Sequence, residues 1–187
     1  MRLLRSLTLP LLLLALPLAQ AAPRPLVAER SEIAFSVKQM GVPVSGKFTR
    51  FEALVDLDLA KPEAGSAKLS VDIASLSTGD EEADAVALDK PWLDRAGFPK
   101  ASFQSSGVKA LGGERYEARG TLTIRGKSRP LTVPFSAQPQ KDGSLRLAGE
   151  FSLRRADFGI GGGEWNEGDL VAPEVPVRFT LWLAPAR

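Results

Sequence analysis

The sequence contains no histidine and no cysteine. The first absence excludes Ser-His-Asp and Cys-His catalysis, and haem or metal sites that depend on imidazole. The second excludes disulfides, redox thiols and thiolate-bound zinc, so the fold must be held by its core alone. Carboxylate, lysine and hydroxyl chemistry remains available, but no pair of acids alternates along the apolar strand faces predicted below. We therefore expect no enzyme, no metal site and no cofactor.

Long apolar runs are also scarce, and the clearest one lies at the start of the sequence. Arg2 and Arg5 precede it, Pro10 and Pro17 interrupt it, and it ends in an Ala-x-Ala site at Ala21. These features are typical of a secretory signal peptide rather than of a stable membrane span. We predict a signal peptide over residues 1–21, cleaved after Ala21, and one exported, periplasmic domain over residues 22–187.

The charge pattern lacks an excess of either sign. Without Arg2 and Arg5, the remaining 22 basic residues equal the 22 acidic residues in number. A protein that binds nucleic acid through its phosphates needs a clustered basic surface. The sequence therefore predicts no nucleic-acid partner.

The stretch from Tyr116 to Ala137 indicates the architecture. Small or apolar residues occupy every second position from Tyr116 to Ile124, and again from Leu131 to Ala137, with the polar turn 126–129 between them. This pattern predicts an antiparallel hairpin with one dry face. No long apolar helix follows to cover that face, so the sheet must close on itself or face another sheet.

The same alternation recurs along the whole domain. It predicts eight strands, including one long extended run from Val44 to Leu59 in which Gly46 marks a bend or bulge. Eight strands suit an antiparallel barrel whose interior is either filled by side chains or holds one small apolar ligand. We therefore predict an all-β, eight-stranded antiparallel barrel. Its strands centre on Phe35, Val55, Val71, Phe103, Leu122, Phe135, Phe151 and Phe179.

One short helix interrupts the strands. Thr78 and Glu81 have the spacing of a capping box, and Pro91 ends the helical pattern, so the sequence predicts a helix over about 79–90. The following segment, 92–99, is too apolar for a solvated loop. We expect it to pack across one end of the sheet.

Two further motifs have competing interpretations. Gly161–Gly163 and the nearby Trp165 predict either a flexible loop at the barrel mouth or a gate in which Trp165 is the latch. Asp56 and Asp58 share the polar side of a predicted strand. A solvated strand face explains this pair more simply than a cation site, because no calcium-binding loop follows.

Five ordered motifs resemble the YceI family, whose members are exported, lipocalin-like proteins associated with polyisoprenoid lipids. The motifs lie at 31–48, 75–80, 98–106, 120–133 and 155–165, and together they span nearly the whole domain. The resemblance implies a lipocalin-like barrel with an inserted helix and an elongated apolar interior. Many members have histidines near the first strand, where this sequence has Lys38-Gln39-Met40.

These observations lead to the hypothesis of a periplasmic binding or carrier protein for a long apolar lipid of the polyisoprenoid or isoprenoid-quinone type. A solid-core structural or stress-related interaction protein is the alternative, followed by a carboxylate-dependent hydrolase or isomerase. The sequence leaves a homodimer open. Gln39 and Arg155 are the predicted head-group contacts. The predicted lining of the interior consists of Phe35, Val37, Val55, Val71, Phe103, Leu122, Phe135, Phe151 and Phe179, with Trp92 and Phe158 nearer one end.

Overall fold

The computed structural model describes residues 23–166 and 170–186. The predicted signal peptide lies outside the described residues. Within them the chain forms eleven strands and one α-helix. In chain order these are β1 (Arg24–Pro25), β2 (Glu32–Gln39), β3 (Val42–Phe48), β4 (Phe51–Asp56), β5 (Ser66–Asp72), β6 (Leu76–Ser77), α1 (Glu81–Leu88), β7 (Lys100–Gly112), β8 (Arg115–Ile124), β9 (Lys127–Pro139), β10 (Leu145–Arg154) and β11 (Glu174–Leu183).

All eleven strands belong to one antiparallel sheet in the order β1-β4-β5-β7-β8-β9-β10-β11-β2-β3-β6. Strands β7 to β11 follow one another in both space and sequence, which is the topology of a meander. The predicted hairpin at its centre is confirmed as β8 and β9. Its turn is the two-residue pair Arg125-Gly126, and β9 already begins at Lys127, where the sequence had predicted turn residues.

The chain itself forces this sheet to curl. Strands β3 and β4 lie near opposite ends of the ladder, yet only Thr49 and Arg50 separate them in sequence. The N-terminal segment makes a second link, because β1 pairs with β4 while the next residue, Leu26, forms a bridge to Leu183 at the end of β11. The two sides of the sheet are therefore held together, and one face becomes the interior.

The predicted number of strands is wrong, since the sheet has eleven and not eight. Two of the additional strands, β1 and β6, are two residues long, too short to produce an alternating pattern. The third arises because the extended run from Val44 to Leu59 breaks at Thr49-Arg50, where the chain passes from pairing with β2 to pairing with β5. Leu57 and Leu59 lie beyond the end of β4.

The alternation of apolar residues correctly predicts which side of each strand is buried. In β8, Tyr116, Ala118, Leu122 and Ile124 are all buried. The buried side chains form two clusters along the interior. One lies near the end that contains Leu183, and the other lies near α1 and includes Leu88.

Helix α1 is shorter than predicted and begins differently. Its N-cap is Asp80, whose carboxylate accepts hydrogen bonds from the backbone N–H groups of Glu82 and Ala83 at 2.9 and 3.2 Å. Thr78, the predicted cap, instead donates its hydroxyl to the Asp84 carboxylate at 2.7 Å. Asp prevails because its carboxylate is itself an excellent cap and lies one residue before the helix. Among the described residues, α1 and the other helical segments are all too short and too polar to cross a membrane.

Three glycines let aromatic rings lie directly against the sheet. A Cβ placed on Gly46 would lie 2.4 Å from the ring of Phe35, and one on Gly120 or Gly149 would lie 2.7 Å from the ring of Phe103 or Phe179. Each ring thus occupies the space that a cross-strand side chain would fill. Gly46 is therefore explained by close contact with a ring; it pairs in regular register with Phe35 and marks no bulge.

We predict that Gly149→Ala lowers the free energy of unfolding by about 1–3 kcal/mol, because the new methyl group overpacks the interior. Its Cβ would meet the Pro134 carbonyl oxygen at 2.4 Å as well as the Phe179 ring. The matched control is Gly107→Ala in β7, where a Cβ has no neighbour within 4 Å. Urea denaturation of both variants is the measurement, and equal losses of stability would contradict the packing argument.

Candidate binding site

The interior of the curled sheet is hollow. It contains an inner chamber of about 180 Å³ and an outer chamber of about 510 Å³. The two chambers adjoin, because both are lined by Phe48, Leu93, Ile124, Leu153 and Val177. These cavities are much larger than the space of one water molecule. A solid core, the alternative interpretation of the sequence, therefore does not describe this structure.

The inner chamber is apolar and is built almost wholly from the inward faces of the strands. Seven predicted lining residues are found there, namely Val55, Val71, Phe103, Leu122, Phe135, Phe151 and Phe179. The stacking of Tyr116 on Phe135, with ring centroids 5.5 Å apart, supports one wall. The rings of Phe103 and Phe179 lie against glycines of neighbouring strands, so they form walls of the chamber and leave its centre open.

The outer chamber lies between the β2–β3 hairpin, α1 and the segments around Trp92 and Trp165. Four further predicted residues, Phe35, Val37, Trp92 and Gln39, are found in its lining. Leu93 lines both chambers, which confirms that the apolar segment after α1 packs across one end of the sheet. The lining of this chamber is more mixed than that of the inner one.

Arg155 organises the wall of the outer chamber. It begins the 3-10 turn Arg155–Phe158 directly after β10 and is only 2% exposed. The Nε donates at 3.1 Å, Nη1 donates at 3.1 and 2.7 Å, and Nη2 makes two bonds, one of them 3.0 Å long. All five guanidinium N–H groups thus reach backbone carbonyls, those of Ala172, Ile160, Gly161, Trp165 and Val171.

These five bonds give Arg155 a structural task. They tie the glycine-rich segment to the segment before β11, and they satisfy a charge that would otherwise be costly to bury. Burial lowers the pKa of Arg155, but a guanidinium remains protonated under ordinary conditions. Since every N–H of Arg155 is engaged with the backbone, the predicted head-group contact has no donor left in this structure.

Two tryptophans meet at the outer chamber. The rings of Trp92 and Trp165 are 5.7 Å apart between centroids and inclined by 53°. Gly161 makes this arrangement possible, because its φ is +65° and a Cβ there would lie 2.7 Å from Nη1 of Arg155 and 2.9 Å from Trp92. Trp165 thus contacts Trp92 at the edge of the chamber, as a latch would require. That Trp165 moves as a gate stays a prediction.

The polar side chains of the outer chamber are mainly acceptors and neutral groups. Gln39, Thr78, Asp80 and Glu82 contribute to the lining. Among the described lining residues, Arg155 is the only cation, and its donors are used by the backbone. The polar part of this lining therefore consists of carboxylates, a hydroxyl and an amide. Among these residues no cation has a free hydrogen-bond donor.

The structure departs from the predicted site in one further position. Phe158 is 3% exposed and packs in the buried cluster beside Leu122 and Ile124, outside the lining of both chambers. The two aspartates considered as a cation pair do not share a strand face, because Asp56 ends β4 while Asp58 accepts the backbone N–H of Ala60 in the following turn.

Sequence reasoning missed two kinds of lining residue. Leu153 continues the predicted alternation of β10, so the pattern already contained that information. Phe48 lies at an even-numbered position of a run predicted to bury odd-numbered ones, and it faces inward because the run breaks at Thr49-Arg50. Glu82 and Val86 on α1, and Asp80 at its N-cap, line the outer chamber. Their position depends on how the helix docks over the end of the sheet, and no local pattern encodes that.

An antiparallel sheet curled around an adjoining pair of largely apolar chambers defines a class of small binding proteins. The comparisons identify the family within that class. The model of the YceI-like domain matches residues 25–183, and the chain belongs to the YceI family. This confirms the resemblance carried by the five sequence motifs.

Two relatives with similar sequences are UPF0312 proteins. A UPF0312 protein of Pseudomonas savastanoi pv. phaseolicola is 32% identical over 134 residues, which covers 68% of this chain and 70% of the relative. A UPF0312 protein of Azotobacter vinelandii is 28% identical over 132 residues, covering 67% and 69% of the two chains.

Solved structures show the same fold. BcnA of Burkholderia cenocepacia is 36% identical, with a TM-score of 0.81 and coverage of 84% of this chain and 98% of BcnA. A polyisoprenoid binding domain from Saccharophagus degradans, implicated in plant cell wall breakdown, has a TM-score of 0.68 at 16% identity. Coverage is 88% of this chain and 99% of that domain, and at this identity the likeness concerns the fold alone.

We predict that Arg155→Lys lowers the free energy of unfolding by about 2–4 kcal/mol, since a lysine cannot replace the five-bond fork and leaves buried carbonyls without donors. Tryptophan emission should shift to longer wavelength, because Trp92 and Trp165 pack beside the guanidinium. The control is Arg154→Lys, an exposed neighbour for which we expect a change within about 0.5 kcal/mol. Indistinguishable denaturation curves for the two variants would overturn this role of Arg155.

Proposed function

We propose that this protein binds a long apolar lipid of the isoprenoid type inside the two adjoining chambers. The observation that carries the proposal is the apolar interior, in which the inner chamber is lined mainly by strand faces and adjoins the outer chamber at the polar end. Membership of the YceI family and the shared fold of a polyisoprenoid binding domain support it.

The affinity of such a complex comes from the tail. Each buried CH₂ group contributes about 0.8 kcal/mol before the cost of ordering the ligand. An unbranched or prenyl chain can follow a narrow lumen one group at a time, whereas a rigid ligand must match its whole width. The linear arrangement of two chambers therefore favours an elongated ligand.

The head group is neutral in this proposal. The described lining of the outer chamber includes the carboxylate of Glu82, the helix-capping carboxylate of Asp80 and the amide of Gln39, while the guanidinium of Arg155 is bound to the backbone. A phosphate or diphosphate would meet repulsion from the carboxylates and find no free cation among these residues. A quinone-like or amide-like head group can accept a hydrogen bond from the Gln39 amide without that penalty.

The role is binding or carriage in the periplasm, without catalysis. The export pattern at residues 1–21 supports the location. The absence of histidine and cysteine from the sequence and the engagement of Arg155 with the backbone support a non-catalytic role. Storage, delivery and sensing of the lipid would all begin with the same complex of protein and lipid, so the proposal concerns that complex.

The direct test is native mass spectrometry of the protein purified from its own host without detergent, followed by extraction of anything released. We expect a one-to-one adduct whose released molecule has an isoprenoid chain. Empty protein should then take up a long-chain isoprenoid quinone in preference to the prenyl phosphate of equal chain length. A protein that arrives empty and takes up neither lipid would refute the proposed function, and a preference for the phosphate would refute the head-group assignment.

Val177→Trp should block lipid uptake while preserving the fold, because Val177 is half-buried and lines both chambers at their junction. We expect about a tenfold or larger loss of affinity for the quinone, as the new ring displaces several methylene groups of the tail. The control is Ser152→Trp on β10, which adds the same ring to an exposed position nearby. Unchanged uptake by folded Val177→Trp would place the ligand outside the chambers.

A further inference from the structure

Exposed apolar side chains are concentrated around the outer chamber. The tip of the β2–β3 hairpin carries Met40 and Val42, which are 70% and 63% exposed. Leu170 and Val86 are also exposed, and Val86 lies on α1 in the lining of the same chamber. We call Met40, Val42, Val86 and Leu170 the mouth rim.

The hairpin tip is a rigid support for these side chains. Gln39 pairs with Val42, and the two residues between them have φ values of +49° at Met40 and +80° at Gly41. A two-residue turn with positive φ at both positions ordinarily takes Asn, Asp or Gly at its first position. Met40 therefore occupies a position where its backbone is disfavoured and its side chain contacts little of the protein.

The second apolar segment is fixed beside this tip. The Met40 N–H donates to the Leu170 carbonyl at 2.8 Å, and the Ala172 N–H donates to the Lys38 carbonyl at 2.8 Å. Gln39 also forms a bridge with Val171. Met40 and Leu170 consequently belong to one hydrogen-bonded unit at the edge of the outer chamber.

Of the six exposed large apolar residues in the described part of the chain, four form the mouth rim. Leu54, which is 62% exposed, stands alone on β4 between Ala53 and Val55 of the cluster near Leu183. Leu111, another exposed apolar residue, lies near the tip of the β7–β8 hairpin. The adjoining interior residues there, Val108 and Tyr116, belong to the cluster at the other end of the interior from α1. The opposite end thus supplies an exposed apolar hairpin residue that can serve as a control.

The size and charge of the mouth rim indicate whether its partner is a protein or a lipid bilayer. A specific protein interface buries about 800 Å² on each partner, far more than four side chains can supply. A lipid bilayer accepts a few inserted apolar groups without requiring a complementary surface. The first turn of α1, the helix that carries Val86, holds Glu81, Glu82 and Asp84. These acids outnumber the exposed Lys38 beside the hairpin tip, so attraction to an anionic surface does not explain the contact.

We propose that the mouth rim docks on a zwitterionic lipid bilayer, with Met40 and Val42 entering its interface and the outer chamber facing the lipid. The inference rests on the proposed lipid-binding function. It adds the route of the ligand, which passes between bilayer and chamber without crossing water.

The experiment measures the initial rate at which the protein takes a long-chain isoprenoid quinone from phosphatidylcholine vesicles. For the double variant Met40→Asp, Val42→Asp we expect about a tenfold or larger fall in rate, because two inserted apolar groups become charged. The amount bound at equilibrium, when quinone is supplied from detergent, should stay the same. Leu111→Asp should transfer at the wild-type rate.

A second variant separates docking from any effect on the hairpin. Met40→Asn places a preferred residue in the turn, so it should keep or raise the unfolding temperature while still slowing transfer. Flotation of each protein with the vesicles should give the same order as the transfer rates. Adding an anionic lipid should weaken flotation, since the nearby acidic side chains are repelled.

The outcomes distinguish the two proposals. If wild-type protein holds quinone delivered from detergent, but the rim variants transfer at the wild-type rate, the docking proposal is overturned and the binding function stands. If wild-type protein holds no lipid from either source, both are overturned. A dimer in sedimentation that the Met40 and Val42 substitutions dissociate would assign the rim to a second copy of the chain instead of a bilayer.

Discussion

An antiparallel sheet with one apolar face must cover that face, and residues 23–166 and 170–186 contain no second layer of secondary structure large enough to do so. Its single α-helix in the described residues has eight residues, whereas strands β7 to β11 are ten to thirteen residues long. The sheet therefore covers itself by curling. The connection of β3 to β4 through Thr49-Arg50 and the bridge from Leu26 to Leu183 make that curling a property of the chain path.

Curling alone would leave the end near α1 without a defined shape, and Arg155 provides it. Its side chain supplements secondary structure by giving five donors to backbone carbonyls outside the named strands. The cost of burying its charge is offset by these charge-assisted bonds. The same bonds occupy every N–H group that a phosphate ligand could have used, so the stability of the mouth and the chemistry of its ligand are linked.

Much of the fold follows from local pattern. A period of two places Leu122 and Phe135 inside, and it does so because burial of one strand face dominates the energetics of a sheet. The strand count failed where pattern is absent, at two-residue strands and at a corner within an extended run. The helix was anticipated, but its cap is Asp80 and not Thr78, because two capping residues stand close together and the carboxylate of Asp80 lies directly before the helix.

The site was less predictable than the fold, for a physical reason. Inward residues such as Phe103 and Phe179 could be named from alternation, but alternation does not distinguish a filled interior from a hollow one. That difference depends on cross-strand neighbours such as Gly120 and Gly149, which receive the rings. Arg155 shows the converse limit, since a charged residue at a predicted mouth suggests a ligand contact until its backbone partners are known.

The pairing of phenylalanine with glycine also bears on how this lumen can evolve. At Gly46, Gly120 and Gly149 even one added methyl group meets a ring, and at the last two it also meets a backbone oxygen. Single substitutions at those glycines therefore cannot narrow the lumen gradually. Divergence in ligand preference is left to half-buried aliphatic residues such as Val177 and Leu153, where side-chain size can change in small steps without disturbing the walls.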